Sequence, residues 1–317
     1  MKKNCLLTII IPVYNSKKFI IKCLNSIISQ FEYKIQIIII DDASTDGSLS
    51  LIKEFFKKNK TLHHIKILRH KKNLGPGPAR NTGLKHSYGK YIGFVDSDDL
   101  LLNKFSANIF NLISNNKYDI VEFGFFRFNK NKKEKFKYFY SFEKGQLIKK
   151  IKPELFAKTT MYPSLRVYKK SLWKNIYFPN YYYEDYATIY KLFNVAKNAY
   201  FINKALLAYR YNSNSITSKI SKKNYNDMFK TFNSIKLKKN DYSQIILKIR
   251  IARSICYFKH LLGIEDKNYD KMINLVKSYN LSWKYLIKLK IYDFLFFKLN
   301  RFYQSIDKFR FKIIKLL

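Results

Sequence analysis

The chain has 317 residues, of which 47% are hydrophobic and 17% aromatic, so it can bury a sizeable core and global disorder is not expected. Its 61 Lys and Arg residues against 22 Asp and Glu residues give a formal charge of +39, which favours anionic partners such as nucleotides, nucleic acid or acidic lipids. Composition leaves open the alternative that many lysines only decorate a solvated surface.

The cysteines and the apolar runs favour a cytoplasmic protein that is not integral to a membrane. Cys5, Cys23 and Cys256 are widely spaced and form no CxxC pair, which argues for a reducing compartment and against a zinc site. The apolar start Cys5–Ile11 imitates a signal peptide, but Pro12–Asn15 lacks a small-residue cleavage pattern. No run approaches the roughly 18 to 20 apolar residues that span a bilayer.

Four short apolar runs predict buried strands, and amphipathic patterns between them predict helices. The runs are Leu6–Ile11, Ile35–Ile40, Ile65–Leu68 and Tyr91–Val95. One helical pattern follows Ser16, an expected N-cap, and another follows Asp46. This alternation predicts βαβ units and a mostly parallel central sheet flanked by helices.

The pattern of apolar and polar residues changes after Val95 and again near residue 215. A strand-like Ile120–Phe128 precedes a Lys-rich polar stretch, and mixed short elements continue to Tyr211, which we interpret as the second half of the same domain. The predicted domains are residues 1–215 and a helical region, 216–317. Residues 284–317 carry nine Lys or Arg against two Asp, a pattern typical of a basic amphipathic helix on an anionic membrane surface. Ordinary packing of these helices on the first domain, without lipid, is the alternative.

Six of the 22 acidic residues lie in two short segments, each directly after a predicted strand. They are Asp41, Asp42, Asp46, Asp96, Asp98 and Asp99. Ligands of an open parallel sheet bind at the carboxyl ends of its strands, so both clusters are expected to face one crevice.

Clustered carboxylates repel one another unless a cation or hydrogen-bond donors compensate. Mg²⁺ or Mn²⁺ suits the Asp-x-Asp of Asp96 and Asp98, because these ions use one or two carboxylates plus water and phosphate oxygens. For Asp46, which precedes a helix, capping is an equal alternative to ligand binding. A third acidic pair, Glu184 and Asp185, follows three tyrosines and suits either a general base of raised pKa or the start of a helix.

Four segments resemble the family 2 glycosyltransferases of the GT-A fold in their order and spacing. They are TIIIPVYN at 8–15, DDASTDGS at 41–48, NLGPGPARNTGLKHSYGKYIGFVDSDD at 73–99 and YYEDYATIYKL at 182–192. The resemblance covers roughly the first 215 residues. It implies a nucleotide-sugar-binding α/β domain with a mostly parallel central sheet.

The resemblance implies a donor site at the strand ends. Pro12, Val13 and Tyr14 would line the base pocket. Asp42 would accept a hydrogen bond from uracil with support from Asp41, which implies a UDP-sugar donor.

By the same resemblance, further residues would surround the sugar and its diphosphate. Arg80 would lie near the donor phosphates, and Asp96 and Ser97 would contact the ribose or sugar. Asp98 would bind Mn²⁺ or Mg²⁺, with Asp96 and Asp99 sharing that role.

The resemblance also implies the reaction. Asp185 corresponds to the catalytic base of an inverting single displacement, and Arg210 lies in a segment that covers the donor phosphates. The acceptor would be a glycan or lipid-linked glycan of lipooligosaccharide, capsule or exopolysaccharide assembly, at the cytoplasmic face of the inner membrane.

Rival functions carry weaker sequence signals. A nucleotidyltransferase would show a glycine-rich basic loop after its first strand, where this chain has Pro12–Asn15. A nucleic-acid-binding protein would suit the charge, yet no zinc finger or RNP-like motif is found, so no specific nucleic acid is expected. A membrane adaptor with an inactive enzyme domain is disfavoured by the intact acidic residues. The GPGP at 75–78 is interpreted as a turn.

Overall fold

The computed structural model describes residues 5–31, 35–59, 64–115, 117–128, 138–139, 144–149, 160–211, 220–236 and 242–279. The chain divides into two compact units, one formed by Met1–Ile151 and Thr159–Lys219 and the other by Lys152–Lys158 and Ile220–Leu317.

The first unit is an α/β domain built around one sheet. Its strands are β1 (Leu7–Val13), β2 (Gln36–Asp41), β3 (His64–Arg69), β4 (Tyr91–Phe94), β5 (Leu100–Leu101), β6 (Ile120–Phe128), β7 (Tyr138–Phe139), β8 (Gln146–Ile148), β9 (Arg166–Lys169) and β10 (Ala199–Arg210). Its helices are α1 (Ile20–Ile28), α2 (Ser48–Lys58), α3 (Pro76–His86), α4 (Phe105–Ile113) and α5 (Glu184–Val195), with short 3₁₀ turns at Pro163–Leu165 and Lys170–Trp173.

The strand order is β3-β2-β1-β4-β9-β6-β10-β5, with β7 beside β6 and β8 beside β10. The first four strands of this order are parallel, because α1, α2 and α3 connect them as crossovers. β2 is buried at every residue, which explains its uninterrupted run of isoleucines. The parallel half confirms the sequence prediction, and helices and strands together form the expected α/β fold.

The other half of the sheet is mixed. β9 is antiparallel to β4 and β6, whereas β6 and β10 are parallel. β5 is antiparallel to the end of β10, through Leu101 opposite Leu207 and Leu100 opposite Ala208. This pairing fixes the segment after Asp99 against the carboxyl-terminal part of β10.

Two local predictions are wrong. Ser16 does not cap α1 with its side chain, because α1 begins at Ile20 and the hydroxyl of Ser16 bonds elsewhere, while its carbonyl accepts the amides of Phe19 and Ile20. The GPGP segment is the start of α3 and not a separate turn. Gly75 precedes the helix with a φ of 91°, and Pro76 is its first residue.

The described part of the second unit is helical, as the sequence predicts. It contains α6 (Lys222–Ser234), α7 (Tyr242–Leu262) and α8 (Lys267–Ser278). Ser221 caps α6 by accepting the amide of Asn224, whose side chain in turn accepts the Ser221 amide. The basic segment 284–317 lies outside the described residues. Among the helices that are described, none is long and apolar enough to cross a bilayer.

Candidate active site

The loops that follow β1, β2 and β4 are hydrogen-bonded to one another. The Ser16 hydroxyl lies 2.5 Å from that of Ser97, and the Ser16 amide donates to Ser48 Oγ at 2.9 Å. The Asn15 amide donates to Ser44 Oγ at 3.1 Å. β1 lies between β2 and β4, so its loop holds the other two in place. The segments 41–46 and 96–99 therefore lie at one edge of the sheet, where the sequence predicts them.

Asp42 binds the loop after β3. Its carboxylate lies 2.6 Å from His70 Nδ1 and accepts the amides of Leu74 at 3.0 Å and Gly75 at 2.7 Å. The side chain is 4% exposed. In this structure Asp42 thus fixes the start of α3, and no sequence pattern indicates its contact with His70.

Asp41 is also buried, and Tyr14 is the most open of the residues assigned to the base pocket. The Asp41 carboxylate accepts the Ser44 amide at 3.3 Å and lies 3.2 Å from Arg69 Nε. Val13 is buried, Pro12 is half-buried, and the Tyr14 side chain is 48% exposed. These residues form the carboxyl end of β1 and β2, and the Tyr14 ring is accessible there.

The sequence allows two roles for Asp46, helix capping and ligand binding, and in the structure its carboxylate binds backbone amides. Its carboxylate accepts the Ser48 amide at 2.9 Å and the Lys17 amide at 2.8 Å. It therefore satisfies donors at the start of α2 and in the β1 loop.

Arg80 joins two acidic segments that are far apart in sequence. Its guanidinium donates to Glu184 Oε1 at 2.5 Å and to Asp96 Oδ1 at 2.8 Å, and it lies 5.4 Å from the centre of the Phe178 ring. The Arg80 side chain is 7% exposed. Arg80 thus brings α3, the loop after β4 and the start of α5 into one cluster. The two side chains to which Arg80 donates are carboxylates, so Arg80 organises these acids.

Arg210 holds the acidic loop from the end of β10. Its backbone amide donates to Asp99 Oδ1 at 2.8 Å, and its Nε donates to the carbonyl of Asp98 at 2.7 Å. Its guanidinium lies between the rings of Phe19 and Phe128, at 4.8 Å and 4.4 Å. Arg210 is buried, so its contacts in this structure fix the loop.

The loop 96–99 has the charge pattern of a cation site. Burial, together with the charges of Asp96 and Asp98, raises the pKa of the Asp99 carboxyl well above its usual range. Asp99 Oδ2 is buried and has no hydrogen-bond partner. Asp96 is 31% exposed and Asp98 half-buried, so both can reach a ligand. These residues fit a divalent ion that neutralises them.

Protein side chains alone would not complete the shell of such an ion. Among the described residues, no group of three or more His, Cys, Asp or Glu side chains could hold a metal ion. Mg²⁺ and Mn²⁺ ordinarily keep water and substrate oxygens as ligands, so a site of one or two carboxylates is consistent with a metal that arrives with a diphosphate.

Asp185 lies in the first turn of α5, next to the Arg80 cluster. Burial and the neighbouring charge of Glu184 raise the pKa of the Asp185 carboxyl to about 7. Its Oδ1 accepts the Tyr186 amide at 2.8 Å. A half-buried carboxyl of this pKa can accept a proton near neutral pH.

The profile of the glycosyl transferase family 2 matches residues 8–176. The chain belongs to this family. A relative with 26% identity over 225 residues is the glycosyltransferase GlyG of Streptococcus pneumoniae serotype 4, and the match covers 67% of this chain and 72% of GlyG. The poly(ribitol-phosphate) beta-glucosyltransferase of Bacillus spizizenii is 39% identical over 117 residues, which are 36% of this chain and 18% of that longer enzyme.

Solved structures show the same fold. TarS 1–349 of S. aureus in complex with UDP-GlcNAc superposes with a TM-score of 0.65 at 21% identity, covering 86% of this chain and 80% of TarS 1–349. The mannosyltransferase PcManGT of Pyrobaculum calidifontis, in complex with GDP-Man and Mn²⁺, gives a TM-score of 0.53 at 15% identity and covers 93% of this chain and 86% of its own. The chain is thus a glycosyltransferase of the GT-A fold, and the nucleotidyltransferase alternative is set aside.

The glycosyltransferase contains site residues that sequence reasoning missed. His70 bonds Asp42 and lies 2.9 Å from Thr82 Oγ1. Tyr162 stacks on Tyr209 with their ring centres 5.7 Å apart, and burial, Tyr162 and the charges of the 96–99 loop together raise the pKa of Tyr209. No periodicity or local motif singles out His70 or Tyr162, because their partners come from distant segments.

Proposed function

We propose that this glycosyltransferase moves a hexose or N-acetylhexosamine from a UDP-sugar to a hydroxyl of a bacterial surface-glycan acceptor, with inversion at the anomeric carbon. The observation that supports the proposal is the Arg80 bridge, which joins Asp96 of the loop 96–99 to Glu184, the residue before Asp185. In this proposal the loop 96–99 would hold the cation and Asp185 would act as the base. UDP-GlcNAc in the structurally similar TarS supports the choice of donor.

In the proposed reaction, the acceptor hydroxyl oxygen attacks C1 of the sugar. The new C1–O bond forms as the bond from C1 to the diphosphate oxygen breaks, and UDP leaves with that electron pair. Asp185 accepts the hydroxyl proton, for which a pKa of about 7 is suited. A retaining double displacement would need a covalent sugar–enzyme intermediate, which this proposal does not include.

The remaining assigned residues would bind the donor. Pro12, Val13 and Tyr14 would form one side of the base pocket, with Asp41 and Asp42 behind it. A bound Mn²⁺ or Mg²⁺, held by Asp98 with Asp96 and Asp99, would supply charge neutralisation at the diphosphate. The Mn²⁺ in the PcManGT complex supports this cofactor choice.

The first experiment measures nucleotide release from a panel of UDP-, GDP-, CMP- and dTDP-sugars with Mn²⁺, with and without EDTA. We expect UDP release from one donor, loss of that release with EDTA, and a fall of at least about 100-fold in Asp98→Ala. Glu54→Ala is the matched control, because Glu54 is an exposed carboxylate on α2 of the same unit. If neither UDP nor Mn²⁺ binds the wild-type protein, the proposed donor and cofactor are wrong.

A further inference from the structure

A groove of about 810 Å³ adjoins the acidic loop and is not used by the donor site proposed above. Its walls come from α1, β5, the start of α4, β6 and β10. Leu100, Leu101 and Leu102 contribute apolar surface to it. It is therefore a concave surface with an apolar part, built from five elements of the sheet and its flanking helices.

The polar groups of the groove are basic or neutral. Three lysines line it, Lys22 from α1, Lys104 from the residue before α4, and Lys204 from β10. Among the described residues that line it, none is Asp or Glu. Asparagines lie between the lysines, and Lys204 Nζ donates to Asn108 Oδ1 at 3.2 Å. Three positive charges from three separate elements therefore surround one concavity, which favours an anionic ligand.

The backbone at Lys104 adds to this charge. Lys104 is the N-cap of α4 and has a φ of 71°, a left-handed conformation that costs a non-glycine residue about 1 kcal/mol or more. No side chain caps this helix end. The positive end of the α4 dipole therefore opens at the same place as the Lys104 ammonium group.

The groove continues directly from the acidic loop. β5 begins at Leu100, the residue after Asp99, and the Leu102 amide donates to the carbonyl of Leu206 at 2.9 Å. Leu206 lines the groove, and the same strand ends at Arg210, which holds Asp99. Because Leu100 lines the groove and directly follows Asp99, the groove begins next to the acidic loop. A chain that places its end at the loop can extend into the groove.

The lining distinguishes among anionic ligands. Phe126 is the one aromatic residue among the described lining residues, whereas single-stranded nucleic acid is held by stacking several bases on aromatic rings. A membrane presents a broad flat surface, which does not fit a concave groove. Asparagine amides and leucine side chains suit hydroxyl groups and the C–H faces of sugars or polyols.

We infer that this groove binds an anionic stem of the acceptor, a phosphate-linked glycan or polyol chain whose terminal hydroxyl reaches Asp185. The inference rests on the proposed function, which supplies the reaction, and it adds the chemical class of the acceptor. The three lysines contact phosphates of the stem, and the asparagines contact its hydroxyl groups.

The test uses the full-length protein with three lysines reversed in charge, Lys22→Glu, Lys104→Glu and Lys204→Glu. The control reverses Lys53, Lys57 and Lys66, which are exposed on α2 and β3 and produce the same change in net charge. Binding of a fluorescently labelled short-chain polyphosphate is measured by anisotropy at low and moderate salt. UDP binding with Mn²⁺ is measured by calorimetry, and vesicles of phosphatidylglycerol form a separate arm.

We expect the groove variant to bind polyphosphate at least about tenfold more weakly than the control variant, with a smaller salt dependence. UDP binding is expected to be equal in both. Equal weakening in both variants would overturn the inference, since only net charge would then matter. A groove variant that loses vesicle binding but keeps polyphosphate binding would identify a lipid site and overturn it too. Absent UDP binding in the wild type, with polyphosphate binding lost only in the groove variant, would refute the proposed donor and leave the anion site standing.

Discussion

Arg80 is the residue on which the cluster of α3, α5 and the acidic loop depends. Arg80→Met leaves the buried Glu184 without its partner, and removing one member of a buried ion pair costs about 3–5 kcal/mol. Asp96 is partly exposed and contributes less. We expect a fall in the free energy of unfolding of that order, measured by urea denaturation, and an intermediate fall in Arg80→Lys, which cannot reach both carboxylates as a planar fork.

The control for Arg80 is the ion pair of Lys58 and Glu54, which has a similar length of 2.6 Å but side chains that are 71% and 55% exposed. Lys58→Met is expected to leave the free energy of unfolding almost unchanged, because solvent screens an exposed ion pair. If Arg80→Met costs no more than this control, the Arg80 bridge does not organise the site.

A second prediction for a single residue concerns Asp185 and the pH dependence of kcat/KM. A general base with a pKa of about 7 must be deprotonated to act, so kcat/KM should rise by about tenfold per pH unit below that pKa and level off above it. Asp185→Asn is expected to lower kcat by about 100- to 10,000-fold. If kcat/KM does not change between about pH 5 and pH 8, the range in which a group with a pKa near neutrality titrates, Asp185 is not the base.

The pH dependence of protein stability tests the raised pKa of Asp185 independently of enzyme activity. Its folded pKa is raised above the unfolded value, so its contribution to stability is fully present below the unfolded pKa and is lost as the pH rises through about 7. Asp185→Asn carries no such titration. The melting temperature of the variant relative to wild type should therefore increase as the pH rises from the unfolded pKa to about 7 and level off above it, and an unchanging difference would contradict the raised pKa.

The acidic residues could be predicted from sequence, whereas their partners could not. Asp96, Asp98 and Asp185 stand out because they follow strands or aromatic runs in a chain poor in acids. Glu184 and Arg80 are 104 positions apart, and nothing in either segment indicates the other. The alternative that Asp46 caps α2 could be stated from sequence but not chosen, because ligand binding and capping need the same residue type.

At the scale of elements, the first turn of α3 packs tightly against the segment that leads into α5. A Cβ added at Gly77 would lie 2.5 Å from the carbonyl oxygen of Pro179 and 3.2 Å from Glu184 Cγ. Gly77→Ala must therefore displace one segment from the other and with it the Arg80 bridge. We expect Gly77→Ala to lower the free energy of unfolding by about 1–3 kcal/mol, measured by thermal unfolding. We expect kcat, measured from initial rates, to fall by the factor that corresponds to a comparable rise in activation free energy.

Gly93 in β4 is the matched control for Gly77. A Cβ at Gly93 would meet nothing closer than 3.8 Å, from Val167, so Gly93→Ala is expected to stay within about 1 kcal/mol of wild type. A Gly77→Ala protein as stable and active as Gly93→Ala would show that the α3 contact does not position the site.

The parallel half of the sheet could be predicted from the sequence, whereas the mixed half could not. β1 to β4 follow from short apolar runs, and the predicted Ile120–Phe128 coincides with β6. The predicted burial is wrong for β3, which lies at the edge of the sheet and has no buried residue. The sequence does not reveal that β9 separates β4 from β6 or that β5 joins β10, because these pairings depend on contacts between residues far apart in the chain. The mixed half therefore required the three-dimensional structure, and the basic groove lies in it.

At the scale of the whole molecule, the charge of +39 is distributed over both units and over the segment 284–317. Each Lys or Arg near an anionic membrane contributes about 1 kcal/mol to binding at low salt. Attachment of the segment 284–317 to a membrane can thus be tested separately from ligand binding in the groove, because that segment belongs to the second unit and the groove to the first.

Co-sedimentation with phosphatidylglycerol vesicles tests this attachment. Replacing the nine Lys and Arg residues of 284–317 by Gln should lower vesicle binding by more than about 100-fold while nucleotide release from the donor stays unchanged. The control replaces nine exposed lysines of the first unit and should retain most vesicle binding. Because both variants lose the same net charge, only a localised membrane contact predicts different results for them. Equal loss in both would mean that the basic surface binds anionic lipid diffusely and that the segment 284–317 has no special role.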